Sequence, residues 1–184
     1  MIEHEKKFLL QDPSSLKTQL RDLNFVAGEE SYQKDIYFTR ADIDFMETKE
    51  CLRIRVEAGH TEITYKPPTT KSMATSQSIW KREINLTVED EVIAKDFLLA
   101  IGSIELCTVE KRRREFHRGK LTVSIDHVTN LGDYVELEIL AQEEDLSLVD
   151  QIKKVVSELG LSKSEVVDLP YRDLLMKKSS QAVQ

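Results

Sequence analysis

The sequence predicts an α+β domain in which eight antiparallel strands close into a barrel around a polar, tunnel-like interior, with helices flanking the outside. Three features of the chain predict it. Short runs alternate apolar and charged residues with a period of two. Turn residues at close spacing join most of those runs as hairpins. The charged faces carry Lys/Arg pairs and Asp/Glu pairs that are not diluted with Thr, Ser and Gln, as an ordinary solvated face would be.

The first strand holds Ile2, Phe8 and Leu10 on one face and Glu3, Glu5 and Lys7 on the other. Asp12-Pro13-Ser14 starts a helix, with Asp12 as cap and Pro13 in the first turn. Leu16, Leu20 and Leu23 continue it to about residue 25. Residues 31 to 39 alternate as a second strand, and a turn-like stretch over 41 to 49 leads to Leu52-Arg53-Ile54-Arg55-Val56-Glu57. Gly59-His60 turns this strand into the next, which carries Ile63 and Tyr65 against Thr64 and Lys66.

Residues 67 to 78 have the Pro-bearing, polar composition of a mobile loop. The fifth strand runs over 81 to 88, and Val92, Ile93, Phe97, Leu98 and Ile101 mark a second amphipathic helix closed by Gly102. A long strand from Glu105 to Phe116 places Val109, Lys111 and Arg113 on one face. Two shorter strands follow, one carrying Asp126 and the other Glu136 and Glu138. Leu148, Ile152, Val155, Val156 and Leu159 make a third helix ended by Gly160. Ser162 caps a short fourth segment, Pro170 interrupts it before Tyr171 to Lys177, and the end from 178 to 184 reads as frayed. Residues 1 to 177 form a single domain with no internal repeat.

At 184 residues the chain is long enough to bury a real core, and its 40% hydrophobic and 32% charged content describe a soluble globular protein. No apolar run is long enough to span a membrane, and no leader resembling a signal peptide opens it. Cys51 and Cys107 lack metal-ligand spacing and read as reduced thiols of a cytoplasmic protein. His4, His60, His117 and His127 share no zinc spacing, and His4 and His117 are expected on strand surfaces. A net charge of −7 argues against nucleic acid as partner. No exposed apolar stripe argues strongly for a homodimer, which the sequence leaves open.

Strand parity collects two sets of side chains. The basic set is Lys7, Arg53, Arg55, Lys66, Lys81, Lys111 and Arg113; the acidic set is Glu3, Glu5, Glu83, Asp126, Glu136 and Glu138. Carboxylates at i and i+2 on one strand sit roughly 7 Å apart, where two negative charges repel by about 2 kcal/mol at an effective dielectric near 20. In an enclosed site a hard divalent cation relieves that repulsion. Convergent Arg and Lys suit phosphate oxygens. A phosphate chain with bound metal is the ligand that needs both sets together.

The ordered series of motifs resembles the CYTH superfamily, the triphosphate tunnel metalloenzymes. It begins with Glu3-x-Glu5-x-Lys7, Gln33-x-Asp35-x-Tyr37-Phe38, Leu52-Arg53-x-Arg55 and Thr64-Tyr65-Lys66. It continues through Lys111-x-Arg113, Ile125-Asp126-x-Val128-x-x-Leu131-Gly132-x-Tyr134-Val135-Glu136-x-Glu138 and Pro170-Tyr171-Arg172-Asp173-Leu174-Leu175. The Leu-Gly pair and the C-terminal Tyr-x-x-Leu-Leu are closest to bacterial class IV adenylyl cyclases.

The resemblance implies a metal-dependent lyase that converts ATP to cyclic AMP and pyrophosphate. Arg53, Arg55, Lys66, Lys81, Lys111 and Arg113 would bind phosphate. Glu3, Glu5, Glu136, Glu138 and Asp126 would hold one or two Mg²⁺ or Mn²⁺ ions, with Asp126 the alternative proton acceptor. Lys7, Asp126, Lys111 and Arg113 would serve catalysis. Where the family usually shows Arg-x-Glu-x-Glu, this chain has Lys81-Arg82-Glu83-Ile84-Asn85, which removes one guanidinium fork and one carboxylate. Hydrolysis of tripolyphosphate or thiamine triphosphate, and non-catalytic nucleotide or polyphosphate binding, stay open as alternatives.

Overall fold

The computed structural model describes residues 2–68, 74–75, 78–79, 81–141 and 146–181; the side chains of Glu3 and Lys81 lie outside the described residues. The chain runs β1 (Ile2–Leu9), α1 (Pro13–Asp22), β2 (Val26–Arg40), β3 (Cys51–Glu57), β4 (His60–Lys66), β5 (Ala74–Thr75) and β6 (Ser78–Ile79). It continues with β7 (Lys81–Arg82), β8 (Ile84–Val88), α2 (Glu91–Ala100), β9 (Ser103–Arg118), β10 (Leu121–Val128) and β11 (Gly132–Ala141). Last come α3 (Leu146–Glu158), a 3₁₀ turn (Leu161–Lys163) and α4 (Tyr171–Gln181).

Local chemistry sets the helix ends. Asp12 Oδ1 accepts from the amides of Ser14 and Ser15 at 3.0 Å each, and Asp90 Oδ1 caps α2 through Val92 N at 2.7 Å and Ile93 N at 3.0 Å. α1 stops at Asp22, short of the expected residue 25, because Asn24 takes a left-handed turn (φ 60°). Gly160 ends α3 the same way (φ 66°), and Ser162 sits inside the 3₁₀ turn and caps nothing. α4 continues through Gln181, beyond the start of the expected frayed end. Most of the expected 67–78 loop lies outside the described residues.

The main sheet is antiparallel throughout and reads β7-β1-β11-β10-β9-β2-β3-β4-β8. The predicted fifth strand supplies both of its end members. β7 pairs with β1, β8 pairs with β4, and only Glu83 separates them. With β7 and β8 counted as the one predicted fifth strand, the antiparallel sheet of eight strands with flanking helices is therefore present, but it does not close as the expected barrel. Its ladder breaks where Glu83 leaves strand conformation, and β7 contributes just the pairs Ile2↔Arg82 and Glu3↔Lys81.

Two helical layers cover the outer face. α1 and α3 bury Leu16, Leu20, Ile152 and Val155 against Phe8, Phe116, Val123, Leu137 and Ile139, each stabilising by about 1.5–3 kcal/mol. His4 belongs to this face and is fully buried, contrary to the surface position expected from its charge-flanked sequence; it lies opposite buried Ile139.

α2 seats Ala94 and Leu98 over Ile36, Phe38 and Ile54. This overturns the expected core face of that helix, since Val92, Ile93, Phe97 and Ile101 are exposed. Two ion pairs flank the seated face: Glu91 meets Lys34 of β2, and Lys95 meets Glu105 of β9, both at 2.6 Å. No described helix is long and apolar enough to cross a membrane.

Candidate active site

Period-two alternation turns Lys7, Asp35, Arg53, Arg55, Lys66, Lys111, Arg113, Asp126 and Glu136 away from the helices, onto the inner face of the curved sheet. Register aligns them in rows. Lys7 stands opposite Glu136, which stands opposite Ser124. Asp126 stands opposite Arg113, Asp35 opposite Arg55, and Tyr37 opposite Arg53.

One cluster is built on Asp126, which has no exposed surface. It accepts from Arg113 Nε at 2.7 Å, Arg113 Nη2 at 2.6 Å, Lys111 Nζ at 3.1 Å and the Tyr171 hydroxyl at 3.0 Å. A carboxylate offers about four lone-pair positions, so the protein itself takes up those of Asp126, which the sequence reading places among metal ligands. Arg113 also pairs with Glu136, and Lys7 Nζ lies 3.3 Å from Glu136 and 3.6 Å from Glu5.

A second cluster is built on Asp35. Arg55 grips it through Nε and Nη2, both at 2.7 Å, and Arg53 Nη1 approaches within 3.5 Å. Glu83, the residue at the break between β7 and β8, lies 3.9 Å from Arg53 and 3.3 Å from Lys66. Among the described residues, the buried Arg53 Nε finds no acceptor.

The electrostatics follow from enclosure. Burial, and then Arg113 beside it, pushes the Lys111 ammonium down to about 8. Burial works the same way on Lys7, but Glu136 and Glu5 outweigh it and hold this lysine above its usual value. Burial alone would raise Glu136 and Asp35. Arg113 and Lys7 instead hold Glu136 well below the usual carboxylate range, and Arg53 and Arg55 do the same for Asp35. The clusters also feel each other, through Lys111 with Asp35 and with Arg55.

Tyr171 of α4 forms the floor. Its ring lies 4.4 Å from Lys7 Nζ and 5.1 Å from Lys111 Nζ, and it meets Tyr134 edge-on at 5.1 Å. Tyr37, Val109 and Val128 complete that apolar end. Toward the other end Glu5 and Glu138 stand directly opposite on β1 and β11. Like charges so placed destabilise a ladder unless a cation intervenes. Glu3 shares their strand face, with its side chain outside the described residues, as is that of Lys81. Among the described residues no three His, Cys, Asp or Glu side chains are gathered closely enough to hold a metal.

The structure thus brings Lys7, Lys111, Arg113, Asp126 and Glu136 into one cluster, and Arg53, Arg55 and Lys66 into another. Sequence reasoning quoted Asp35, Glu83 and Tyr171 without assigning them roles; the parity of Gln33-x-Asp35-x-Tyr37 was the signal for the first. Of the two rings flanking the fourth and fifth predicted strands that could stack on a base, Tyr65 donates its hydroxyl to Glu50 at 2.5 Å, and Trp80 lies outside the described residues. A surface cleft of about 460 Å³ beside α1, lined by Leu16, Gln19, Leu159 and Lys163, contains none of these inner-face charges.

Comparison with known proteins finds relatives of the whole chain and of its fold. A Methanocaldococcus jannaschii protein named as a candidate adenylate cyclase is 31% identical over 176 residues, covering 95% of this chain and 98% of that protein. The adenylate cyclase CyaB of Aeromonas hydrophila is 26% identical, covering 94% and 88%. Among solved structures, Pyrococcus horikoshii PH1819 superposes with a TM-score of 0.83 at 28% identity, covering 96% of this chain and 99% of that one. A Hippeastrum protein described as having a dominant triphosphatase activity shares the fold at 14% identity and a TM-score of 0.68, covering 97% and 95%. The CYTH domain model matches residues 1–169, and with that match the chain belongs to the CYTH domain family.

Proposed function

We propose that this protein is a metal-dependent enzyme acting on a triphosphate, and that its reaction is the conversion of ATP to cyclic AMP and pyrophosphate. The observation that carries the reading is the inner-face concentration of Arg53, Arg55, Lys66, Lys111 and Arg113, with a buried Arg53 Nε that lacks an acceptor among the described residues. A buried donor without a partner costs about 1–3 kcal/mol. An anionic oxygen is the group that would satisfy it. The names of the Methanocaldococcus and Aeromonas relatives support the cyclase over hydrolysis.

In this reading Arg53, Arg55 and Lys66, joined by Lys81 on strand parity, orient the phosphates from one wall. Lys7, Lys111 and Arg113 meet them from the other. These cations offset the charge that builds on the departing pyrophosphate as the 3′-hydroxyl gives up its proton to water, its oxygen bonds to the α-phosphorus and the bridging P–O bond breaks. Fixing the ribose against that phosphorus supplies several kcal/mol more, because cyclisation is intramolecular. Asp126 acts as a positioning residue that fixes Arg113 and Lys111. Glu5 and Glu138, which face each other across β1 and β11, would hold a Mg²⁺ or Mn²⁺ ion together with Glu3 of the same strand parity, more readily than Asp126 or Glu136, whose oxygens the protein's own cations engage. When bound there, such an ion would neutralise phosphate charge and would lower the pKa of the attacking hydroxyl.

Product analysis tests the proposal. ATP, thiamine triphosphate and tripolyphosphate are supplied separately with Mg²⁺ or Mn²⁺, and the products are chromatographed. Cyclic AMP with stoichiometric pyrophosphate is expected. Orthophosphate without cyclic AMP replaces the cyclase by a triphosphatase, and binding without turnover reduces the protein to a nucleotide-binding module.

A further inference from the structure

The outer face of the sheet is apolar farther than its helices reach. One row of paired residues runs Ile36↔Ile54↔Ile63↔Leu86 across β2, β3, β4 and β8, and the next runs Phe38↔Leu52↔Tyr65↔Ile84. Burial fades along both. Ile36 and Ile54 are enclosed, Ile63 is half-buried, and Leu86 is 59% exposed; Phe38 is enclosed and Ile84 is 45% exposed. α2 covers the β2–β3 end of these rows and reaches Ile63 of β4 and Val88 of β8, but leaves Ile84 and Leu86 of β8 exposed.

α2 adds a second apolar surface beside the first. Ile93, Phe97 and Ile101 follow at i, i+4 and i+8, and with Val92 they are 57–69% exposed. Ile93 and Phe97 lie two residues either side of Lys95, which puts them about 160° around the helix from its ion pair with Glu105. They therefore project on the far side of α2 from the flank that the ion pairs tie down. At roughly 100 Å² of exposed surface each, these four residues with Ile84 and Leu86 present about 600 Å², the upper end for a monomer's largest apolar patch. That is three-quarters of the ~800 Å² each partner contributes to a standard interface.

We propose that this face docks a second copy of the chain, α2 against α2 about a two-fold axis near Phe97, with β8 of each copy flanking the contact. A stripe of period four on an exposed helix is self-complementary under such an axis. The axis runs the helices antiparallel, which keeps their acidic first turns (Glu89, Asp90 and Glu91) at opposite ends and sets each beside the uncharged Ala100–Ser103 end of its partner. The contact also braces β8, whose exposed Ile84 and Leu86 flank Asn85 and directly follow Glu83, at the break in the sheet.

Light scattering on the purified full chain, over about a hundredfold range of concentration, tests this. The expected mass is twice the 21.2 kDa of the chain, falling toward one chain on dilution. The double variant Ile93→Glu, Phe97→Glu is expected at one chain mass with an unchanged circular dichroism spectrum, and Leu86→Lys is expected to weaken association from the strand side. Val26→Glu, on another exposed apolar residue, is expected to leave the dimer intact. Single-chain mass for the wild type at every concentration overturns the proposal, as does a dimer that survives all patch variants. A wild-type monomer that co-sediments with phosphatidylcholine–phosphatidylglycerol vesicles overturns it in favour of a lipid surface.

Discussion

Asp126 and Asp35 are comparably buried, yet they anchor clusters of different character. Asp126 is enclosed by cations that are themselves hidden: Lys111 is 3% exposed and Arg113 about 8%. Asp35 holds Arg53 and Arg55, which keep 13% and 19% of their side-chain surface. The first cluster is closed on itself, with a tyrosine across its floor and a lysine driven toward neutrality. The second retains, among the described residues, a buried donor without an acceptor, and its arginines keep more contact with water. One wall of the site is therefore the more enclosed, its cations already matched by carboxylates, and the other is the more open to water.

The largest expected effect tests that contrast directly. Asp126→Asn leaves two enclosed cations undercompensated and is expected to cost about 3–5 kcal/mol of stability in urea unfolding. Asp35→Asn is expected to cost less, about 1–3 kcal/mol, because water reaches its partners. Equal losses would erase the distinction between the walls. Next in size is Glu136→Gln, which keeps a hydrogen-bonding group near Arg113 but removes the charge. Turnover on the true triphosphate substrate is expected to fall by about 10²-fold or more, with an unchanged circular dichroism spectrum. Full activity in that variant would remove Glu136 from the site's chemistry.

Lys111 supplies a pH test of intermediate size. With its ammonium pushed down to about 8 in the free protein, kcat/KM is expected to decline above that pH as the charge on the lysine is lost. Lys111→Arg, permanently charged, is expected to abolish the decline. A flat wild-type profile between about pH 7 and 10 would show that the enclosed lysine does not meet phosphate. The stability sign runs the other way. The unfolded chain holds this proton up to about pH 10.4, so between the two values the lysine's contribution to stability rises with pH. The smallest effect is expected for Tyr171→Phe. It keeps the ring over Lys7 and loses the hydrogen bond to Asp126, costing about 1 kcal/mol in thermal unfolding. A loss above about 3 kcal/mol would mean that the hydroxyl, more than the ring, holds the floor together.

Much of the site was legible because a strand's period of two is a local property. Once Arg53-x-Arg55, Lys111-x-Arg113 and Glu136-x-Glu138 are read as strands, each pair must share a face whatever the rest of the chain does. The pairing of those faces was not legible. Nothing in Asp126 by itself says that Arg113 and Lys111 of the preceding strand and Tyr171 of the last helix converge on it. Asp35 and Glu83 were visible as charges, but their service to Arg53, Arg55 and Lys66 depends on register between strands.

The helices divide in the same way. The sequence by itself determined that α1 begins at a capping aspartate, that Gly160 ends α3, and which side chains alternate inward on each strand. Those outcomes depend on backbone geometry within a few residues. Tertiary structure decided how α2 is turned about its axis. Its apolar residues spread around most of the helix, so amphipathic spacing alone could not choose Ala94 and Leu98 over Ile93 and Phe97. The choice accompanies ion pairs to Lys34 and Glu105 on neighbouring strands. Tertiary structure likewise decided that the sheet stops at Glu83, because pairing on both sides of β7 and β8 needs partners that only the assembled fold can bring alongside.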